Sequence, residues 1–271
     1  MIVILYNYME QFVCLSGLPR AGSTLLSAIL SQNPLIHAEG NSAVCQLMWD
    51  MQQSCLTTAK EQLLANGREK TTKHSLISQI PHIYYKDIKE KIVVDKCRSW
   101  TIAANINMLE KYIDKDYKII ILERSVTDIV KSFVKLYNKN GVYNDIEHKL
   151  LIPNSEPIMR SISGISWAKK NNKNNHFLFI NYEDLIDNTE VTINRIYDFC
   201  GWEYFSHDFK HVECKYPEDD SVYGLKGMHK IHSKVGKKEN STILSSKCLE
   251  KCKTIDKIMR NISENSEKNG L

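Results

Sequence analysis

No apolar run in the 271 residues approaches membrane-spanning length, no Cys-x-x-Cys pair or zinc-like Cys/His cadence occurs, and no segment repeats. Without about 20 consecutive apolar residues a spanning helix is excluded, and without closely spaced ligand pairs a structural zinc site or a redox motif is excluded. The cysteines, Cys14, Cys45, Cys55, Cys97, Cys200, Cys214, Cys248 and Cys252, are scattered, several within apolar runs, as small core residues are. Excess charge is also scarce: 36 Lys and Arg against 32 Asp and Glu leave a formal +4. That suits a polyanionic ligand but falls short of the clustered basic stripe of nucleic-acid binders. No arginine-led hydrophobic leader with a cleavage site is visible in MIVILYNYMEQFVCL. A reduced, cytoplasmic protein without membrane or nucleic-acid partners is the expectation. An apolar content of 42% supports a proper core, and the length fits one large α/β domain spanning 1–271.

What is present centres on Phe12 to Pro34, FVCLSGLPRAGSTLLSAILSQNP. It reads as a short apolar strand, a turn carrying Gly17, Pro19, Arg20 and Gly22, and an apolar helix opened by Ser23 and Thr24. The unpaired N–H groups of a helix start gather around one point there, a natural seat for phosphate. Gly17 and Gly22 have the spacing of a nucleotide-triphosphate loop, but Ser23 stands where that loop needs lysine. The cation has moved to Arg20, whose guanidinium can clasp an oxyanion in fork geometry. A generic nucleotide loop and a purely structural turn are the alternatives.

GLPRAGSTLL resembles the loop of sulfotransferases, which bind the sulfate donor 3′-phosphoadenosine 5′-phosphosulfate (PAPS); its Arg20 is similar to the tyrosylprotein branch rather than the lysine-bearing small-molecule branch. A second motif carries the same resemblance. The aliphatic strand Tyr117 to Glu123 ends at Arg124, and Ser132 follows eight residues later, two turns into a helix. Sulfotransferases bind the donor's 3′-phosphate with an arginine and a serine so spaced. Read without the family, Arg124 could instead pair with Asp128, and an exposed helix serine is usually idle.

The resemblance implies a three-layer P-loop fold of the α/β class, a central parallel sheet flanked by helices. The strand and helix alternation favours the same architecture. Further strands are expected at Lys91 to Asp95 and His176 to Ile180, and helices at about Ser42 to Leu64, Trp100 to Tyr112, 157–171, Thr189 to Trp202 and Ser246 to Asn261. Leu35 to Asn41 reads as a link, 66–90 as a surface helix or lid, and Lys139 to Asn154 as a loop over the acceptor side.

The resemblance also assigns roles. Arg20 and the backbone of Ala21, Gly22, Ser23 and Thr24 would hold the 5′-phosphosulfate, while Arg124 and Ser132 would hold the 3′-phosphate. Lys96 stands like the strand-end lysine that assists the transferring sulfate, and Tyr182, within a YEDL segment, would lie beside the nucleotide, although a packing tyrosine reads as well there. In the basic segment near the C-terminus, Ser233, Lys234 and Lys237 are reserve donor contacts. No metal is required. No histidine follows Lys96, where the small-molecule branch carries its base. The resemblance to the tyrosylprotein branch, with a glutamate in the link after the first helix, implies Glu39 as the base that accepts a hydroxyl proton, with His37 next. Glu39 sits two positions before the matching place, which Asn41 occupies. That departure leaves the acceptor open among small molecules, glycans and peptides, with a homodimer also open. A nucleotide-dependent kinase or NTPase, and a non-catalytic protein binding PAPS or its product adenosine 3′,5′-bisphosphate (PAP), are the competing readings.

Overall fold

The computed structural model describes residues 9–172, 175–236 and 240–269. In chain order the elements are β1 (Gln11–Gly17), α1 (Ser23–Leu30), β2 (Ile36–Asn41), α2 (Val44–Leu56), α3 (Lys60–Ala65), α4 (Glu69–Ser78), α5 (Ile80–Tyr84), β3 (Ile92–Lys96), α6 (Ala103–Tyr112), β4 (Lys118–Glu123), α7 (Val126–Lys139), α8 (Ile146–Leu150), α9 (Met159–Lys170), β5 (Phe177–Asn181), α10 (Tyr182–Asp187), α11 (Thr189–Cys200) and α12 (Ser246–Asn269). Single turns of 3₁₀ helix lie at Arg98–Thr101 and Asp220–Tyr223.

The strands form one parallel sheet in the order β2-β3-β1-β4-β5. β4 is aliphatic on consecutive positions because helices cover both its faces, and Ile119, Ile120, Ile121 and Leu122 are all fully buried. β1 is central, and its last residue approaches β4 closely. Gly17 has a φ of 137°, and a Cβ there would lie 2.3 Å from the carbonyl oxygen of Leu122. Chain order reverses on either side of β1, so the carboxyl ends of β1, β3 and β4 open onto the crevice where such sheets take ligands. One core cluster runs from Val13 on β1 to Met259 on α12.

Two segments differ from the sequence reading, and 66–90 takes one of its two alternatives, the surface helix. The link at Leu35 to Asn41 is an edge strand, β2, paired to β3 with a register shift between Ala38 and Asn41. Its sequence IHAEGN lacks the β-branched run that marks the inner strands. The stretch read as a loop at 139–154 contains α8, whose Ile146 and Leu150 are buried one turn apart. Residues 66–90 supply α4 and α5, which pack against α2 rather than over the crevice.

Three interlocked hydrogen bonds fix the end of β3. The Asp95 carboxylate is fully buried and accepts from Ser42 Oγ (2.5 Å), Trp100 Nε1 (2.6 Å) and Tyr85 OH (2.8 Å). Burial pushes its pKa up, and the three donors act against that. Lys96 is therefore presented from a rigid strand tip. Among the described residues all eight cysteines are free thiols, and no helix is long and apolar enough to cross a membrane.

Candidate active site

At the carboxyl edge of the sheet lies a cavity of about 200 Å³. The turn after β1 forms its floor, because Gly22 caps α1 in the left-handed region (φ 91°) and aims the first N–H groups of the helix outward. Arg20 also has a positive φ, 60°, an unusual state for a side-chain-bearing residue and a common one where a backbone is shaped for a ligand.

The two motifs meet here. Arg20 Nε donates to Ser132 Oγ at 3.1 Å, and Arg124 Nη1 donates to the Arg20 carbonyl at 2.8 Å. The Arg124 guanidinium lies 4.0 Å over the Tyr182 ring. Tyr182 in turn closes on the loop, since a Cβ on Gly22 would stand 3.0 Å from its Cδ2. Arg124 thus stacks on an aromatic face instead of pairing with Asp128. Burial lowers the Arg20 pKa, and the neighbouring Arg124 charge lowers it further. Two guanidinium groups so close, with Arg124 Nε buried and without a hydrogen-bond partner, form a cationic cradle suited to an oxyanion.

Lys96 and Arg98 form the opposite wall. Lys96 Nζ, on a side chain only 4% exposed, donates to Glu218 Oε1 at 2.7 Å. Arg98 Nε is buried without a hydrogen bond, 3.7 Å from the Glu156 carboxylate. Glu218 also accepts from Asn41 Nδ2 (3.1 Å) and Tyr223 OH (3.4 Å). Burial presses the Glu218 pKa upward, but the Lys96 charge and hydrogen bonds outweigh it and hold the group below the usual glutamate range.

The strap spanning 203–236 closes the cavity. It is anchored to α1 through Gln32 and Asp208 (3.0 and 2.8 Å) and to α7 through Asn140 and Lys226 (3.2 and 2.9 Å). The Met228 carbonyl accepts from Arg20 Nη1, and His229, Lys230, His232 and Lys234 line the wall behind it.

The residues expected from sequence distribute unevenly around this space. Arg20, Gly22, Ser23, Thr24, Lys96, Arg124, Tyr182 and Lys234 line it, Ala21 is buried beneath the loop, and Ser132 reaches it through Arg20. Ser233 does not line it, and its carbonyl instead accepts from Val212 N. Lys237 lies outside the described residues.

Glu39 and His37 do not line this cavity, although Glu39 lines a narrow space beside it together with Thr24, Lys96 and Glu218. Each residue back from the end of β2 recedes by about 3.3 Å, so only Asn41 reaches the edge. His37 is 1% exposed, packed against the rings of Tyr85 and Tyr216, with Nε2 3.1 Å from Glu39. The carboxylate that meets Lys96 is Glu218, which the sequence reading missed together with its neighbours Asp220 and His229. Their approach depends on a strap contact across 122 residues, for which no local spacing gives a signal.

A five-stranded parallel sheet flanked by helices, with two guanidinium groups at its first strand-to-helix turn, defines an α/β protein whose crevice opens at the carboxyl edge. The model of the sulfotransferase family matches residues 13–206, and the chain belongs to that family, which makes it a transferase. The structure is similar to the sulfotransferase from Alicyclobacillus acidocaldarius (TM-score 0.57, 11% identity, 94% of each chain covered). It is also similar to the sulfotransferase domain from the curacin biosynthetic pathway (TM-score 0.54, 16% identity, 93% of this chain and 98% of that one covered). At these identities the likeness is one of fold. Curated protein sequences give no match.

Proposed function

We propose that the chain, as one domain, transfers a sulfuryl group from PAPS to a hydroxyl or amine acceptor without a metal ion. The observation that carries this reading is the tie between Arg20, Arg124 and Ser132, which joins two distant motifs at one cavity and leaves the buried Arg124 Nε without an acceptor. A dianionic phosphate is the group that such a cradle fits.

When bound, PAPS supplies an activated sulfuryl group whose leaving oxygen belongs to its 5′-phosphate. Arg20 and the N–H groups at the start of α1 bind that end, and Arg124, Ser132 and Tyr182 orient the 3′-phosphate and nucleoside. Lys96 faces the transferring group, where an ammonium offsets charge that grows on the leaving oxygen. To hold this group, Arg20 and Lys96 would have to exchange their present partners, the Met228 carbonyl and Glu218, for its oxygens.

Calorimetry of PAP binding in the presence of a chelator tests the reading. Heat of binding for PAP and none for ATP is expected. Binding of ATP that requires magnesium, with none for PAP, would replace the reading with a kinase or NTPase. Tight PAP binding with no transfer to phenols, amines, sugars or peptides would replace it with a non-catalytic binding protein.

A further inference from the structure

The mechanism above lacks a group to receive the acceptor's proton. Glu218 is poorly suited, because its oxygens already accept from Lys96, Asn41 and Tyr223 and its affinity for protons is depressed. Glu39 and His37 stand back from the edge. The strap brings His229 and His232 to the cavity, and the partner of His229 is Asp220. The side chain of His229 is 12% exposed, and its Nδ1 lies 2.7 Å from Asp220 Oδ1. The second oxygen of Asp220 accepts from the His229 backbone N–H at 3.2 Å, so ring and main chain are fixed by one carboxylate. Tyr223 packs edge-on against the imidazole at 5.6 Å between ring centres.

We propose that His229 is the general base of the transfer reaction and that Asp220 is its positioning residue. The proposal rests on the sulfuryl-transfer reading of the same cavity. An Nδ1–H donated to Asp220 fixes the tautomer, which places the lone pair on Nε2. As the acceptor oxygen attacks sulfur, its proton passes to Nε2. A new oxygen–sulfur bond forms, the bond from sulfur to the bridging 5′-phosphate oxygen breaks, and that oxygen leaves with the electron pair as PAP. Asp220 receives the imidazolium directly, and Glu218 Oε2 lies 3.5 Å from Nδ1. Glu218 therefore connects the base with Lys96 through its two oxygens.

The charges that face His229 are mixed. The carboxylates of Asp220 and Glu218 lie beside its Nδ1, and the cations Arg20, Lys96, Arg98, Arg124, Lys230 and Lys234 line the same cavity. His232 shares the wall.

Three measurements on full-length protein test the assignment: PAP calorimetry, release of PAP from PAPS with water or 2-naphthol as acceptor, and imidazole nitrogen NMR. H229Q should keep PAP binding within about threefold and lose a hundredfold or more in turnover, the usual range for a base. D220N should lose less, shift the acid limb of the kcat/KM profile to lower pH, and disturb the Nδ1–H tautomer seen for His229 in the parent protein. A merely structural Asp220 would leave limb and tautomer unmoved. Unchanged turnover in H229Q or an Nε2–H tautomer in the parent overturns the proposal while leaving the transfer reading intact, and PAP binding by a parent that transfers to no phenol, amine, sugar or peptide overturns both. Absence of PAP binding by the parent removes both.

Discussion

Lys96, at the tip of β3, and Glu218, 122 residues further along on the strap, pair at 2.7 Å with both side chains nearly buried. The contact joins the sheet edge to the segment that roofs the cavity. It also occupies the cation proposed to meet the transferring sulfate. The strap is thus held in place by the same charge that the proposed reaction would use.

Removing that carboxylate should loosen the roof and change the response to acid. Glu218 is held below the usual glutamate range, so its stabilising contribution is complete above the ordinary value of about 4.3 and disappears as pH falls through the lower native one. Glu218→Gln is expected to lower unfolding free energy at pH 7 by about 3 kcal/mol, as when one partner of a buried pair is lost. Its acid limb should also be shallower than that of the parent. Urea unfolding across pH 3 to 7 measures both, and parallel profiles for the two proteins would contradict the placement.

Gly40 offers an independent route to the same contact. A Cβ there would lie 2.1 Å from Glu218 Cγ and 2.5 Å from its Oε1, so the side chain has to leave its seat. Gly40→Ala should reproduce most of the loss seen in Glu218→Gln. Combined, the two changes should cost little more than one alone, because they remove one interaction. Additive losses in the double variant would mean that Gly40 matters for the backbone of β2 instead.

The inner sheet and the meeting of Arg20, Arg124 and Ser132 were legible because both are written locally. The run IIIL in β4 declares a strand covered on two faces, and Arg124 and Ser132 fall eight residues apart on a strand tip and its helix. β2 was hidden because an edge strand needs no aliphatic run, and IHAEGN carries a glycine and polar groups. α8 was hidden because only Ile146 and Leu150 mark it within a polar stretch. Asp220 and His229 were unreadable for a different reason: nothing periodic surrounds them, and what makes them a pair is a 3₁₀ turn that folds Asp220 back onto the imidazole.

Arg124→Ala should separate the two ends of the donor. The guanidinium ties to the Arg20 carbonyl and keeps a buried Nε without an acceptor, so its largest effect belongs to the 3′-phosphate. Affinity for PAP should fall by about 1.5–3 kcal/mol, the range for a charge-assisted bond. Affinity for AMP, which lacks that phosphate, should change far less. Equal losses for the two nucleotides, measured by calorimetry, would move Arg124 away from the 3′ position.

Gly17→Ala tests the approach of β1 to β4 on which the loop depends. At a φ of 137° a side chain is already strained, and the added Cβ would stand 2.3 Å from the Leu122 carbonyl oxygen and 2.6 Å from its nitrogen. Neither neighbour is a flexible side chain that can swing aside. The Leu18 N–H also donates to that carbonyl at 2.8 Å, so separating the strands breaks the bond that begins the loop. A loss of roughly 3 kcal/mol or more is expected, within the range of severe backbone and packing defects. It should appear in urea unfolding without any ligand present. If the variant unfolds like the parent but fails to bind PAP, the glycine shapes the loop for the anion and is not required by the sheet.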